Sequence, residues 1–165
     1  MTPDPRSRRR ATPRATKKPQ VVTRPSSDDE HDVVYFKRHV EDDPHRASPG
    51  RDFLRSTPTA VRATMRSVLA AVAAAPPKSF AGGGYWEAMK ADMAGWYEVR
   101  VDGPKRHHYR LFCLLDYDAE GTDKPLLVVI AGRDKPFRTV LAPADYQAVR
   151  ALGEEYRKRN PRSIE

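Results

Sequence analysis

Cysteine is nearly absent: the 165-residue chain carries one, Cys113. A single thiol excludes an internal disulfide and fits a reducing compartment. Long apolar runs are missing as well. No stretch reaches the roughly 18 apolar residues that read as a membrane span. The N-terminal segment also lacks the run of about 7–15 apolar residues of a secretory signal. Pro3, Pro5, Pro13 and Pro19 interrupt any amphipathic transit helix. The cytoplasm is therefore the expected compartment, with no membrane partner. Gly82-Gly83-Gly84 is not followed by Lys and Ser or Thr, which excludes a P-loop and leaves a flexible joint. His107 and His108 are adjacent, so on a strand they face opposite ways and do not suit one metal ion. No metal and no cofactor are expected.

Positive charge is abundant but uneven. The chain has 30 Lys+Arg against 22 Asp+Glu. Residues 1–25 hold eight of the basic groups and one acidic group, Asp4, a net +7 that leaves +1 on the other 140 residues. That segment also carries five of the 15 prolines and few large apolar residues. It buries too little surface to offset the entropy of ordering, so it reads as a disordered basic tail. At about 5–6 Å × √n it spans roughly 25–30 Å, enough for RNA contacts away from the folded body, although a dispensable extension fits the same composition. Ser26-Ser27-Asp28-Asp29-Glu30 is an acidic linker. The division is thus tail and linker over 1–32, one domain over 33–160, and a short C-terminal tail over 161–165.

Within the domain, 33–38 (VVYFKR) is a β-rich first strand. A loop over 41–50 leads to a short helical piece near 51–55. Residues 58–75 are the strongest helix, with Thr57 at the N-cap and Pro58 at the first helical position. Val61, Met65, Val68, Leu69 and Val72 form one apolar stripe, away from Arg62 and Arg66. Residues 80–95 read as a glycine loop followed by about a turn of helix. Two strands, about 96–101 and 106–115, are joined at Asp102-Gly103-Pro104. PLLVVIAG, 125–132, is a continuous apolar run that suits a strand buried on both faces. A last helix, about 143–159, opens with Pro143 and carries Tyr146, Val149, Leu152 and Tyr156 on one side. The order predicts an α+β domain with helices on one side of a mostly antiparallel sheet.

Alternation sorts the hairpin into two faces. Tyr97, Val99 and Val101 share a face, as do Tyr109, Leu111, Cys113 and Leu115. Two registers pair these faces, with Val99 opposite Tyr109 or opposite Leu111. Either one gathers Glu98, Arg100, His108 and Arg110 on the second face. The ordinary explanation for such a face is a solvated sheet with cross-strand ion pairs, such as Glu98 with Arg110, each contributing about 0.2–1 kcal/mol.

Gly95-Trp96-Tyr97-Glu98-Val99-Arg100, followed by Tyr109-Arg110-Leu111 with Arg110 ten positions after Arg100, then Gly132-Arg133-Asp134-Lys135-Pro136-Phe137-Arg138, resembles the RelE/ParE superfamily of type II toxins. The likeness is greatest to RelE/HigB-like and phage-related toxins and runs over about 33–159. It implies a small α+β fold, a curved, mostly antiparallel sheet with helices packed on one side and a C-terminal helix. It implies metal-independent mRNA cleavage, ribosome-dependent in RelE-type members, and neutralisation by a cognate antitoxin protein. ParE-type members instead poison gyrase without hydrolysis, and a catalytically inactive RNA-binding module is a third alternative. By the resemblance, Arg110 matches the arginine used on the scissile phosphate and Arg100 a basic position on the preceding strand. Arg133 and Lys135 fall where members keep basic residues after the last strand. With Lys105, Arg106 and Arg138 they make the expected RNA-binding set. Several members place a Tyr or His soon after that strand as general acid; here 136–141 is Pro-Phe-Arg-Thr-Val-Leu.

Such cleavage needs a base for the 2′-hydroxyl, an acid for the leaving oxygen, and cations for the developing charge. Arg110 and Arg100 suit the cationic role, because guanidinium grips phosphate oxygens in pairs. His108 suits acid or base. Glu98 suits base, with a cross-strand arginine expected to lower its pKa and weaken it. Trp86 and Trp96 have the rings to stack on bases, but core positions suit both better. Cys113 reads as a buried small hydrophobe.

Overall fold

The structure, a computed structural model, describes residues 25, 26, 28–75 and 84–165. Residues 1–24 of the expected tail and most of the expected glycine loop lie outside the described residues. In chain order the elements are β1 (Asp32–Tyr35), α1 (Pro49–Ser56), α2 (Thr59–Ala74), β2 (Trp86–Ala88), β3 (Tyr97–Gly103), β4 (His107–Asp116), β5 (Leu126–Pro136) and α3 (Pro143–Arg157). The five strands form one mixed sheet in the order β1-β5-β4-β3-β2. β1 runs parallel to β5, and the other pairs are antiparallel. The fold class is α+β, as the element order predicts.

The apolar run becomes the central strand. Leu126 to Ala131 of β5 are buried, with strands on both edges and helices on both faces. Leu127 and Val129 join a core with the α2 stripe of Val61, Met65, Val68, Leu69 and Val72, together with Val99, Val101, Leu111 and Cys113. Burying each large apolar side chain contributes roughly 1.5–3 kcal/mol. Leu126, Val128 and Ile130 point the other way, into a second core with Phe112, Leu114, Val149 and Tyr156. The helices therefore do not share one side. α1 and α2 cover one face and α3 the other, because both faces of β5 are apolar and each requires a cover.

Local readings shift by small amounts. α2 starts at Thr59, and the Thr57 hydroxyl donates to Leu54 O (2.7 Å), closing α1 instead of capping α2. The hairpin bends over Pro104–Arg106, so Asp102 and Gly103 belong to β3. Val99 lies opposite Leu111, one of the two registers expected. β2 is a strand within the 80–95 segment expected to be a glycine loop and about a turn of helix, and the helical turn after it is a single 3-10 turn, Ala91–Met93. Between Phe112 and Cys113 the β4–β5 register shifts, leaving Ile130 as the extra residue of a bulge.

The C-terminal residues 161–165 lie against β1. Tyr35 and Glu165 exchange backbone hydrogen bonds (2.9 Å each), and Ile164 bridges Phe36. Asp116, buried at the end of β4, ties this segment to α3. It accepts from Tyr156 Oη (2.6 Å), Arg162 Nε (2.8 Å) and Asp118 N (2.9 Å). Burial opposes its ionisation, but these donors outweigh it and hold the carboxyl below its ordinary value. Among the described residues, no helix is long and apolar enough to cross a membrane.

Candidate active site on the charged sheet face

β3, β4 and β5 run on past the ground that α3 covers, and the residues there are charged. The register places them in cross-strand rows. Arg100 of β3 stands opposite Arg110 of β4, which stands opposite Arg133 of β5. Opposed residues on adjacent strands share a face, so three arginines lie side by side across about 10 Å. One row toward the hairpin tip, Asp102 opposes His108 and His108 opposes Lys135. One row toward α3, Glu87 opposes Glu98, and Glu98 opposes Phe112. The four residues expected to be catalytic, Arg110, Arg100, His108 and Glu98, therefore share one face, as alternation predicted. His107 points to the other face.

The rows are cross-linked. Arg100 Nη1 meets Glu87 Oε2 at 2.6 Å, and its Nε meets Glu98 Oε1 at 3.4 Å. Arg110 Nη1 donates to Glu98 Oε2 at 3.4 Å. The Glu98 side chain is 7% exposed and that of Arg110 13%. Arg110 is thus not the exposed arginine that a solvated strand face suggests. Its buried Nε has no acceptor among the described residues, so the guanidinium keeps donors in reserve. For Glu98, burial is the largest influence and raises its pKa above the ordinary value. The pull of Arg110 and Arg100 is smaller. The expectation that an arginine would lower it is therefore reversed, because the sequence shows the cation but not the desolvation. Lys135 shifts down, through burial first and then the repulsion of Arg110 and Arg100.

His108 is held on two sides. Its Nδ1 is hydrogen-bonded to Asp102 Oδ1, and its ring stacks on Phe137 with centroids 4.3 Å apart. A ring fixed through Nδ1 offers Nε2 for proton transfer. Asp102 carries no signal of its own in the sequence beyond its place before Gly103, and the pairing depends on the hairpin bending about two residues later than expected.

Of the remaining expected RNA contacts, Arg133 reaches Asp145 of α3 (3.5 Å) and donates to Gly132 O (2.7 Å). Lys135 Nζ donates to Thr139 O (2.7 Å). Lys105 and Arg106 form the hairpin tip, and Arg138 the turn after β5. The two turns are joined by Phe137 N donating to Arg106 O (2.8 Å). All three basic residues adopt positive φ, 60°, 55° and 63°, a conformation that costs about 1–3 kcal/mol each for a non-glycine residue. Arg133 belongs to the arginine row, and the other four basic positions cluster at the same end of the sheet. A cleft of about 460 Å³ opens along the β3 edge of this end, lined by Tyr85, Arg100, Asp102, His108 and Arg110 and, from the α2 side, by Thr64, Val101 and Tyr109. The two tryptophans take core places: Trp86 is buried and stacked on Tyr97, and Trp96 is buried where Gly153 of α3 approaches it.

Comparison with protein-family models, characterised proteins and solved structures finds no match for this chain.

Proposed function

We propose that the protein is a RelE/HigB-like toxin that cleaves mRNA, on the ribosome, and is neutralised by a separate antitoxin protein. The observation that carries the reading is the sequence of rows: Glu98 on one side of the three arginines, and His108 on the other. An in-line displacement at phosphorus puts the attacking and leaving oxygens on opposite sides of the phosphate. A base and an acid that flank a cationic row match that demand.

Arg110 and Arg100 grip the non-bridging oxygens and stabilise the charge that builds on them. Glu98, whose burial makes it a stronger base than an ordinary carboxylate, accepts the proton of the 2′-hydroxyl. The 2′-oxygen forms its bond to phosphorus as the bond from phosphorus to the 5′-oxygen breaks. The leaving oxygen takes a proton from His108 Nε2. The products are a 2′,3′-cyclic phosphate and a 5′-hydroxyl, with one proton taken and one given. Lys105, Arg106, Arg133, Lys135 and Arg138 hold the flanking backbone. His108 fills the role for which other toxins of this type use a later Tyr or His.

The test is induced expression with primer extension on a translated reporter. Growth arrest should come with new 5′ ends that vanish when translation is blocked. Arrest with intact mRNA and altered supercoiling would replace this reading with gyrase inhibition. RNA bound by the purified chain but never cut, with or without ribosomes, would replace it with an RNA-binding module.

A further inference from the structure

We propose that Tyr85 is the platform on which a nucleobase of the substrate stacks, next to the phosphate held by the arginine row. The proposal rests on the ribonuclease reading and adds to it the subsite for a base.

Tyr85 directly precedes β2. The Arg100 N–H donates to Tyr85 O at 2.9 Å, which continues the β2–β3 ladder by one residue and sets Tyr85 opposite Arg100. Opposed residues share a face, so the arginine row has a fourth member: Tyr85, Arg100, Arg110, Arg133. Alternation sends the neighbouring Trp86 into the core and Tyr85 outward, into the cleft that Arg100, His108 and Arg110 also line.

Its exposure is the second observation. Tyr85 is 47% exposed, and it is one of three large apolar side chains left so among the described residues. An aromatic ring kept in water beside guanidinium groups forgoes the burial that both tryptophans obtain. A ring face next to a phosphate-binding row is how proteins hold single-stranded nucleic acid: backbone charge on cations, bases on aromatic rings. The strands that carry Tyr85 and Arg110 are two steps apart, about 10 Å, a distance comparable with the reach of one nucleotide from phosphate to base.

The full chain is titrated, by fluorescence anisotropy over a salt series, with a short single-stranded oligoribonucleotide whose 2′-O-methyl riboses prevent cleavage. Tyr85→Ala should weaken binding about 5- to 150-fold. Its salt dependence should stay at the wild-type slope, since stacking neutralises no phosphate. Tyr85→Phe should keep wild-type affinity. Arg100→Ala, which removes a phosphate contact, should flatten the slope. An abasic nucleotide at one position should weaken the wild type and leave Tyr85→Ala unaffected. The proposal is overturned if Tyr85→Ala binds like the wild type while Arg100→Ala does not, an outcome that leaves the ribonuclease reading in place. A Phe variant as weak as the Ala variant, or no abasic position that affects the wild type, overturns it too. If the wild-type chain binds no oligonucleotide at all, the platform is overturned, while the ribonuclease reading stands or falls separately on the translation-dependent 5′ ends.

Discussion

Arg110→Ala removes one of the two guanidinium groups that face the Glu98 carboxylate, and the cost to the fold can be bounded. Glu98 then keeps Arg100, whose Nε lies 3.4 Å away, and the weaker pull of Lys135. It either stays ionised with weaker compensation or takes a proton. Taking a proton at pH 7 costs about 1.36 kcal/mol per pH unit over the roughly 2.5 units above the ordinary glutamate value of 4.5, or about 3.4 kcal/mol. The wild type already bears part of that penalty, because burial holds the Glu98 pKa above 4.5. The variant should therefore lose about 1–3 kcal/mol at pH 7. The sign follows from the direction of the shift. A carboxyl whose folded pKa is raised contributes least at neutral pH and regains its contribution as pH falls toward 4.5. Urea unfolding of wild type and variant at pH 5, 6 and 7 should thus show the deficit shrinking by about 1–2 kcal/mol toward pH 5. In a Glu98→Gln background the deficit should be small and level with pH. A deficit equal at pH 5 and pH 7, or undiminished in the Gln background, would show that Arg110 supports the fold by some route other than the Glu98 charge.

Two further outcomes test the chemistry. Glu98→Gln should slow cleavage by roughly 10²–10⁴-fold while binding uncleavable RNA at least as tightly, because a carboxylate beside the phosphate is gone. The wild-type rate should climb with pH over a range above that of an ordinary carboxylate, and this limb should be absent from the Gln variant; an unchanged pH–rate profile would remove Glu98 as base. Asp102→Asn should lower kcat at least tenfold, but by less than the roughly 10²–10⁴-fold expected from removing the imidazole itself, with KM little altered. Nitrogen chemical shifts of His108 should change as Nδ1 loses its carboxylate acceptor; wild-type shifts and kcat would reduce Asp102 to a surface pairing.

Period-2 alternation over 97–101 and 107–115 sufficed to separate the faces of the hairpin, and the 125–132 run sufficed to place the central strand. Those signals are local. What escaped the sequence is non-local. The parallel pairing of β1 with β5 and the position of α3 on the second face depend on which apolar surfaces remain after α1 and α2 have docked. The adjacency of Arg133 and Arg110 depends on the β4–β5 register, including the bulge at Ile130. β2 has only three residues, Trp86–Ala88, too short for alternation to show, so Tyr85 had no face assigned and did not figure as a candidate. Glu98 shows the same limit in its electrostatics. Its arginine neighbours are legible from spacing, but its burial is not, and burial sets the direction of its shift.

The site's rigidity follows from the same geometry that leaves it open. On one face, α3 covers Phe112, Leu114, Val128 and Ile130 and stops short of the arginine row, where Asp145 near its start reaches Arg133. On the opposite face, α2 continues beneath the row. Val101 and Tyr109, which alternate with the charged residues, pack into the α2 core. At Gly103 the fit leaves no room for a side chain: a Cβ there would lie 2.5 Å from Tyr109 Cε2 and 2.7 Å from Val61 Cγ2. The charged ends of β3 and β4 are therefore backed by a helix on one side and open on the other. Catalysis by positioned charge requires groups that do not reorganise when the substrate arrives. Here the side chains are carried by strands that are themselves fixed from behind, with Glu98 and Arg110 largely buried and Arg100 and His108 more open.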